Sequence, residues 1–184
     1  MVAIPDLNGK SAVNPLRPYT PVGTITDMEL FLKKRISPFV NLKVVNPVFE
    51  EIQLDFKVKF RTDDNAYYHD VLTNDIESFL TPWAFKEGSD ISFGGSIRKS
   101  VLINFIEERS YVDYITCVKM YVWKDGTKIT ADVDEATATT ARSILVSFGG
   151  NASEPKHKID YNNVSCNCYE TRWMKNFIYP NSVR

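Results

Sequence analysis

The sequence predicts an α+β fold: a mixed or antiparallel sheet with about three helices packed on one face, ordered as a β-α-β-α-β core followed by a β-hairpin. Three observations carry this. From Glu50 to Phe60 the chain reads EEIQLDFKVKF, so that Ile52, Leu54, Phe56, Val58 and Phe60 alternate with Gln53, Asp55, Lys57 and Lys59. Successive strand side chains point to opposite faces, which gives one apolar face to be covered and one that water can reach. Two later stretches carry apolar residues at helical spacing, and Asp125-Gly126 is a strong hairpin turn between two apolar runs.

Met1 to Thr24 holds four of the nine prolines, Pro5, Pro15, Pro18 and Pro21, and reads as an extended arm or linker over residues 1–24. An α+β domain is expected over 25–150. Thr26 with Glu29 forms a capping-box pattern for a first helix to about Ser37, with Met28, Phe31, Leu32 and Ile36 on one face. Phe39 to Val45 alternates and reads as a strand leading into the Glu50 strand, as a hairpin or as one long bent strand. Asp63-Asp64 suits the start of a second helix, whose stripe is Tyr68, Val71 or Leu72, Ile76, Phe79 and Leu80. Asp90 to Phe93 reads as a short edge strand. Ser96 is the expected cap of a third helix with Ile97, Val101, Leu102, Phe105 and Ile106, ending near Arg109-Ser110. Val112 to Trp123 is apolar on both faces, which predicts a central strand covered on two sides. Thr127 to Val133 is the expected return strand of the hairpin, Asp134 to Thr140 a loop, and Arg142 to Phe148 a last strand. Residues 151–184 lose this periodicity and read as a C-terminal arm.

Hydrophobic residues at 43%, charged residues at 24% and a net charge of −1 describe an ordinary globular chain with no overall field to attract nucleic acid or an anionic membrane. No apolar run approaches the ~20 residues of a membrane helix, and the N-terminus lacks a signal-peptide pattern. A cytoplasmic product is expected. Three cysteines do not make a secreted disulfide framework, so Asn151-Ala152-Ser153 and Asn163-Val164-Ser165 read as chance matches to the glycosylation pattern.

No catalytic, cofactor-binding or metal-ligating set emerges. Gly94 to Ser100 stands at a strand-to-helix junction where free N–H groups attract anions, but its spacing fits neither phosphate-loop nor dinucleotide patterns and a tight turn explains it. Cys166 and Cys168, with His157 and with Cys117 or His69, lack zinc-site spacing; Cys117 reads as a small buried hydrophobe. His69-Asp70 are adjacent on a helix and point apart, which argues against an oriented dyad. Glu50-Glu51, Asp63-Asp64 and Glu107-Glu108 read as strand-edge, cap and surface charges. The candidates to meet a partner are Gln53, Asp55, Lys57 and Lys59 on the polar strand face, which otherwise is only the solvated side of a sheet, and the aromatics Trp83, Phe85, Tyr121, Trp123 and Trp173, because aromatics are enriched at interface hot spots; Tyr121 or Trp123 taken alone fits the core better.

The blocks IPDLNGKSAVNPLRP, ELFLKKRISPFVNLKVVNPVFEEIQLDFKVKFR, FLTPWAFKEGSDISFGGSIRKSVLINFIEERSYVDYITCVKMY and ARSILVS resemble the C-terminal part of the baseplate J-like proteins. These build baseplate wedges of contractile phage tails and of bacterial contractile injection systems, particularly of the Bacteroidetes type. The resemblance runs from about Ile4 to about Ser147, and family members are much longer, so the chain looks like a C-terminal fragment or a short relative. It implies a structural role without a catalytic site or cofactor, with other wedge subunits and copies of itself as partners, and with no nucleic acid, membrane insertion or small-molecule substrate. Two other readings are a small-ligand or anion-binding enzyme domain using Gly94 to Ser100 and a nucleic-acid-binding α/β module with aromatics on a sheet face.

Overall fold

The computed structural model describes residues 1–5, 14–86 and 89–162. In chain order it forms α1 (Val22–Lys33), β1 (Val48–Phe60), α2 (Asn65–Leu80), a 3-10 turn at Pro82–Ala84, β2 (Ser96–Arg98), α3 (Lys99–Glu107), β3 (Val112–Lys124), β4 (Thr127–Lys128), β5 (Glu135–Thr137), β6 (Ser143–Ser147) and β7 (Lys158–Asp160). The α+β class read from the sequence holds. β1 is the centre of a mixed sheet in the order β4-β3-β1-β6, with β7 also on β1; β2 and β5 pair separately.

The alternation in β1 does what period two requires. Ile52, Leu54, Phe56, Val58 and Phe60 are each 2% exposed or less, and they pack with Leu72, Ile76 and Leu80 of α2 and Leu102 and Ile106 of α3. β3 runs antiparallel to β1 with Leu54 opposite Met120 and Val58 opposite Ile115. The register slips between Asp55 and Lys57, whose partners are Lys119 and Thr116, so Cys117 and Val118 share the place opposite Phe56. Cys117, half-buried in this bulge, has φ of 56°. A bulge reverses which alternate residues face the core, and Val112, Ile115, Met120 and Val122 all become core residues although their spacing breaks period two. The apolar run of β3 therefore reflects slipped register more than cover on two faces, although Trp123 is buried on the opposite side.

The hairpin at Asp125-Gly126 is present, with both residues at positive φ, 50° and 74°, as a two-residue turn of matching twist demands. Its return strand is only Thr127–Lys128, not Thr127 to Val133. Beyond it side chains take over the ladder: Thr130 Oγ1 accepts from Val122 N at 2.8 Å and Asp132 Oδ1 from Met120 N at 2.9 Å. Side-chain oxygens replacing carbonyls explain why strand geometry stops while the edge stays covered.

Several boundaries move. Phe39 to Val45 is not a strand; Val45 makes one isolated bridge to Val2, while Phe39 is 96% exposed. The first helix begins at Val22 after Pro21, so Thr26 lies inside it and donates to Val22 O, and Glu29 accepts from Lys33 and from Val44 N instead of closing a capping box. Asp90 to Phe93 is irregular, and Ser96 to Arg98 forms β2 against β5, where a loop was expected over Asp134 to Thr140. Helix α3 thus starts at Lys99; Val101 faces outward and Ile97 reaches the core from a strand. Helices α2 and α3 supply the cover, whereas α1 has no buried residue. The chain after Asn151 adds β7 in parallel to Asp55–Lys57.

Phe56→Ala should lower unfolding free energy by about 3–5 kcal/mol, the range for emptying a fully packed aromatic site. Phe31→Ala on exposed α1 should stay within about 0.5 kcal/mol. Urea denaturation of both variants checks the contrast, and equal losses would contradict this division between core and surface.

Candidate functional site

The polar face of β1 is not uniformly wet. Gln53 is fully buried: its Oε1 accepts from Trp123 Nε1 at 3.0 Å and its Nε2 donates to Pro155 O at 2.9 Å. Trp123 is itself buried and stacked on Phe148 at 4.7 Å between ring centroids. Both are candidates for a partner surface, with the core the better fit for Trp123, and neither is presented to solvent, because this half of the face is closed by Phe148 and the segment through Pro155. Asp55 and Lys57 are half-buried and Lys59 is exposed; with Lys119 and Tyr114 opposite Asp55 and Lys59, they form the accessible part of the strip. Trp83 is half-buried in the 3-10 turn against Phe49, Ile144 and Val146, with a buried Nε1 that has no hydrogen-bond partner among the described residues, while Phe85 beside it is 53% exposed. Trp173 lies outside the described residues.

The second edge of β1 explains the buried polar groups. β6 pairs with Val48–Ile52 and β7 with Asp55–Lys57, which leaves Leu54 N–H in the gap between them. His157 Nδ1 accepts that proton at 3.1 Å, and Nε2 stands 3.2 Å from Ser147 Oγ. An accepting Nδ1 makes the ring neutral with its hydrogen on Nε2, donating to Ser147. Burial, with a smaller contribution from Lys156, holds the His157 pKa down to about 3 from 6.5. The neighbouring Lys156 Nζ donates to both carboxylate oxygens of buried Glu77 at 3.0 and 2.9 Å, tying the strap to α2.

The carboxylates at the start of β1 are likewise internal and not surface charges. Glu50 is fully buried and accepts from Thr139 N at 3.2 and 3.0 Å and from the Thr139 hydroxyl, with Lys124 Nζ at 3.8 Å. Desolvation works to raise its pKa, but hydrogen bonds from Ser143 and Thr139 outweigh it and hold it below 4.5. For Glu51 burial wins, raising its pKa although the Arg17 guanidinium is 2.5 Å away. That guanidinium lies over Gly149, where an added Cβ would come within 2.5 Å of it. The chain around Arg17 is thereby fixed to the sheet, with Tyr19 edge-on to Phe49 at 5.2 Å.

The other constellations resolve into structure. Around Gly94 to Ser100, Ser96 donates to Glu135 at 2.7 Å, Arg98 lies 3.7 Å from the same carboxylate, and Lys99 contacts Asp132 and Asp134 at 2.8 and 3.0 Å. The cations that an anion would use are already neutralised. His69 Nδ1 and Asp70 Oδ1 do meet, at 3.0 Å, but Asp70 is 82% exposed and is not among the residues that line the cleft His69 shares with Asp55, His157 and Lys158. Among the described residues no group of three His, Cys, Asp or Glu is placed to hold a metal ion; Cys166 and Cys168 fall outside them.

What sequence reasoning missed is α1 and the loop after it. Leu30, Phe31, Phe39 and Val40 are 54%, 55%, 96% and 54% exposed, although Phe31 was read as part of a covered stripe. The available signal was that the chain carries more apolar segments than its one sheet face can cover.

A family model described as a PVC11-like baseplate protein matches residues 1–148. Among solved structures, the chain is similar to a chain of the anti-feeding prophage baseplate, determined by cryo-electron microscopy with six-fold symmetrisation, with a TM-score of 0.54 and 16% identity. The likeness covers 71% of this chain and 26% of that one, so the present chain spans about a quarter of its length. No curated protein matches.

His157 makes folding acid-sensitive. Its folded pKa, about 3, lies below the unfolded 6.5, so the unfolded chain binds the extra proton in that window and stability falls as pH drops from about 6.5 toward 3. The slope from this residue is about 1.4 kcal/mol per pH unit. His157→Asn places a non-titrating acceptor near Leu54 N–H, and urea titrations between pH 6.5 and 5 should show the slope reduced by about 1 kcal/mol per pH unit on average, approaching about 1.4 at the acid end. An unchanged slope would show that His157 is not held neutral.

Proposed function

This chain belongs to the family of PVC11-like baseplate proteins, and on that premise we propose that it is a structural assembly component of a contractile, tail-like injection system, working by protein–protein docking without catalysis. The observation that carries the reading is the extent of the family match. Residues 1–148 include α1, α2, α3 and every described strand except β7, so the match is to most of the packed body and not to a short motif.

The internal chemistry supports the same reading. Buried Glu50, Gln53, Glu77 and His157 spend their hydrogen bonds on neighbouring backbone, side chains and loops of the same chain. Such groups hold a shape and leave no pair poised for proton transfer to a substrate. The partners of this reading are other baseplate subunits and copies of the chain, met through surfaces such as exposed Lys59 and the half-buried Asp55 and Lys57 beside it. Nucleic acid and small-molecule substrates have no part in it, and assembly takes place in the cytoplasm before the particle is complete. No described helix is long and apolar enough to cross a membrane.

Affinity-tagging the whole protein in producing cells should recover it in intact particles together with sheath and tube subunits, at a fixed ratio to the other baseplate proteins by mass spectrometry. Recovery only as free protein, outside any particle, would overturn the assembly role.

A further inference from the structure

We infer that α1 and the loop after it form a docking surface for an apolar, carboxylate-rimmed face of another subunit of the particle; the inference rests on the assembly role above. The segment is a closed excursion from the body. At its base Thr20 N donates to Asn46 Oδ1 at 2.9 Å and Asn46 Nδ2 returns to Thr20 O at 3.0 Å. Halfway along, Glu29 Oε2 accepts from Val44 N at 3.2 Å while Glu29 Oε1 holds Lys33. These bonds fix the loop against the helix, so the surface is preformed and little ordering entropy opposes binding.

Its outer side is unusual for a surface that stays in water. No residue of α1 is buried, and Leu30, Phe31, Phe39 and Val40 are each more than half exposed. The connection from Lys34 to Pro47 contains neither helix nor strand, and connections of that length within compact domains usually carry function. Scattered apolar residues need no explanation, but a helix with no buried residue followed by a loop tip bearing a fully presented phenylalanine does.

Charge selects the kind of partner. Lys33, Lys34, Arg35 and Lys43 stand against Asp27 and Glu29 in this segment, whereas the chain as a whole is at −1. Lys33 is paired with Glu29; among the described residues Lys34, Arg35 and Lys43 have no carboxylate at ion-pair distance. Arg35 lies over the Phe31 ring at 3.5 Å and donates to Phe31 O at 3.0 Å, which presents its planar guanidinium beside the apolar patch in an arrangement suited to a carboxylate. Two copies meeting through this same surface would bring like charges together, which disfavours a symmetric homodimer here. A partner with apolar side chains ringed by Asp and Glu satisfies both features.

The test is made in the whole protein, in cells that produce particles. With p-benzoylphenylalanine in place of Phe39, irradiation should give an adduct to a different baseplate subunit, at a peptide carrying Asp or Glu. Phe39→Asp, and separately Lys34→Glu with Arg35→Glu, should lower recovery in particles by about tenfold or more, with thermal unfolding of the purified variants unchanged. Adducts only within the chain or to a second copy, binding to phosphatidylserine vesicles that these variants lose, or normal recovery of the variants would each overturn the inference. Normal recovery of the variants leaves the assembly role standing, whereas absence of the unmodified protein from particles removes that role and this inference with it.

Discussion

The structure depends on satisfying both edges of β1. A strand buried in the middle of a domain must place every N–H and C=O, because an unpaired buried group costs about as much as several surface contacts contribute. β3 takes one edge along almost its whole length. The other edge is assembled from three pieces: β6 beside Val48–Ile52, the His157 imidazole at Leu54 N–H, and β7 beside Asp55–Lys57. A side chain fills the single gap that two short strands leave, and its neutrality is a condition of the contact.

From that constraint the buried polar residues follow as a set. Gln53 receives the indole of Trp123 and holds Pro155 O, Glu77 receives Lys156, and Glu50 receives Thr139. Each fixes a loop or strap that completes an edge or closes a face. The helices have the simpler task of covering the apolar face, and α2 and α3 suffice for it. α1 is left without a place in the core.

The central strand, the second helix, the hairpin turn and the strand closed by Gly149-Gly150 were legible in the sequence because each rests on local periodicity or turn chemistry. Gln53 was read as surface because an alternating strand names its two faces but not what lies over the second one. Lys158–Asp160 and Glu135–Thr137 are three-residue strands, too short to show a period, and they exist through their partners. Val112 to Trp123 misled because a bulge at Cys117 changes the facing of alternate residues. In the α1 segment local propensity gave a helix correctly, whereas the absence of a partner for it is a property of the whole chain. Of the expected contact residues, Asp55, Lys57, Lys59 and Phe85 reach the surface, and Gln53 and Trp123 do not.

On the proposed reading, a body closed upon itself keeps shape, and the basic, apolar excursion recognises a partner. Hydrogen exchange on the free chain and on the assembled particle tests that division most directly. The account predicts slow exchange at Leu54 to Lys57 in both states, and exchange across residues 22–43 that is faster in the free chain and slows on assembly. Fast exchange at Leu54 to Lys57 in the free chain that slows only in the particle, with residues 22–43 unchanged, would contradict it, because the second edge of β1 would then be the docking site.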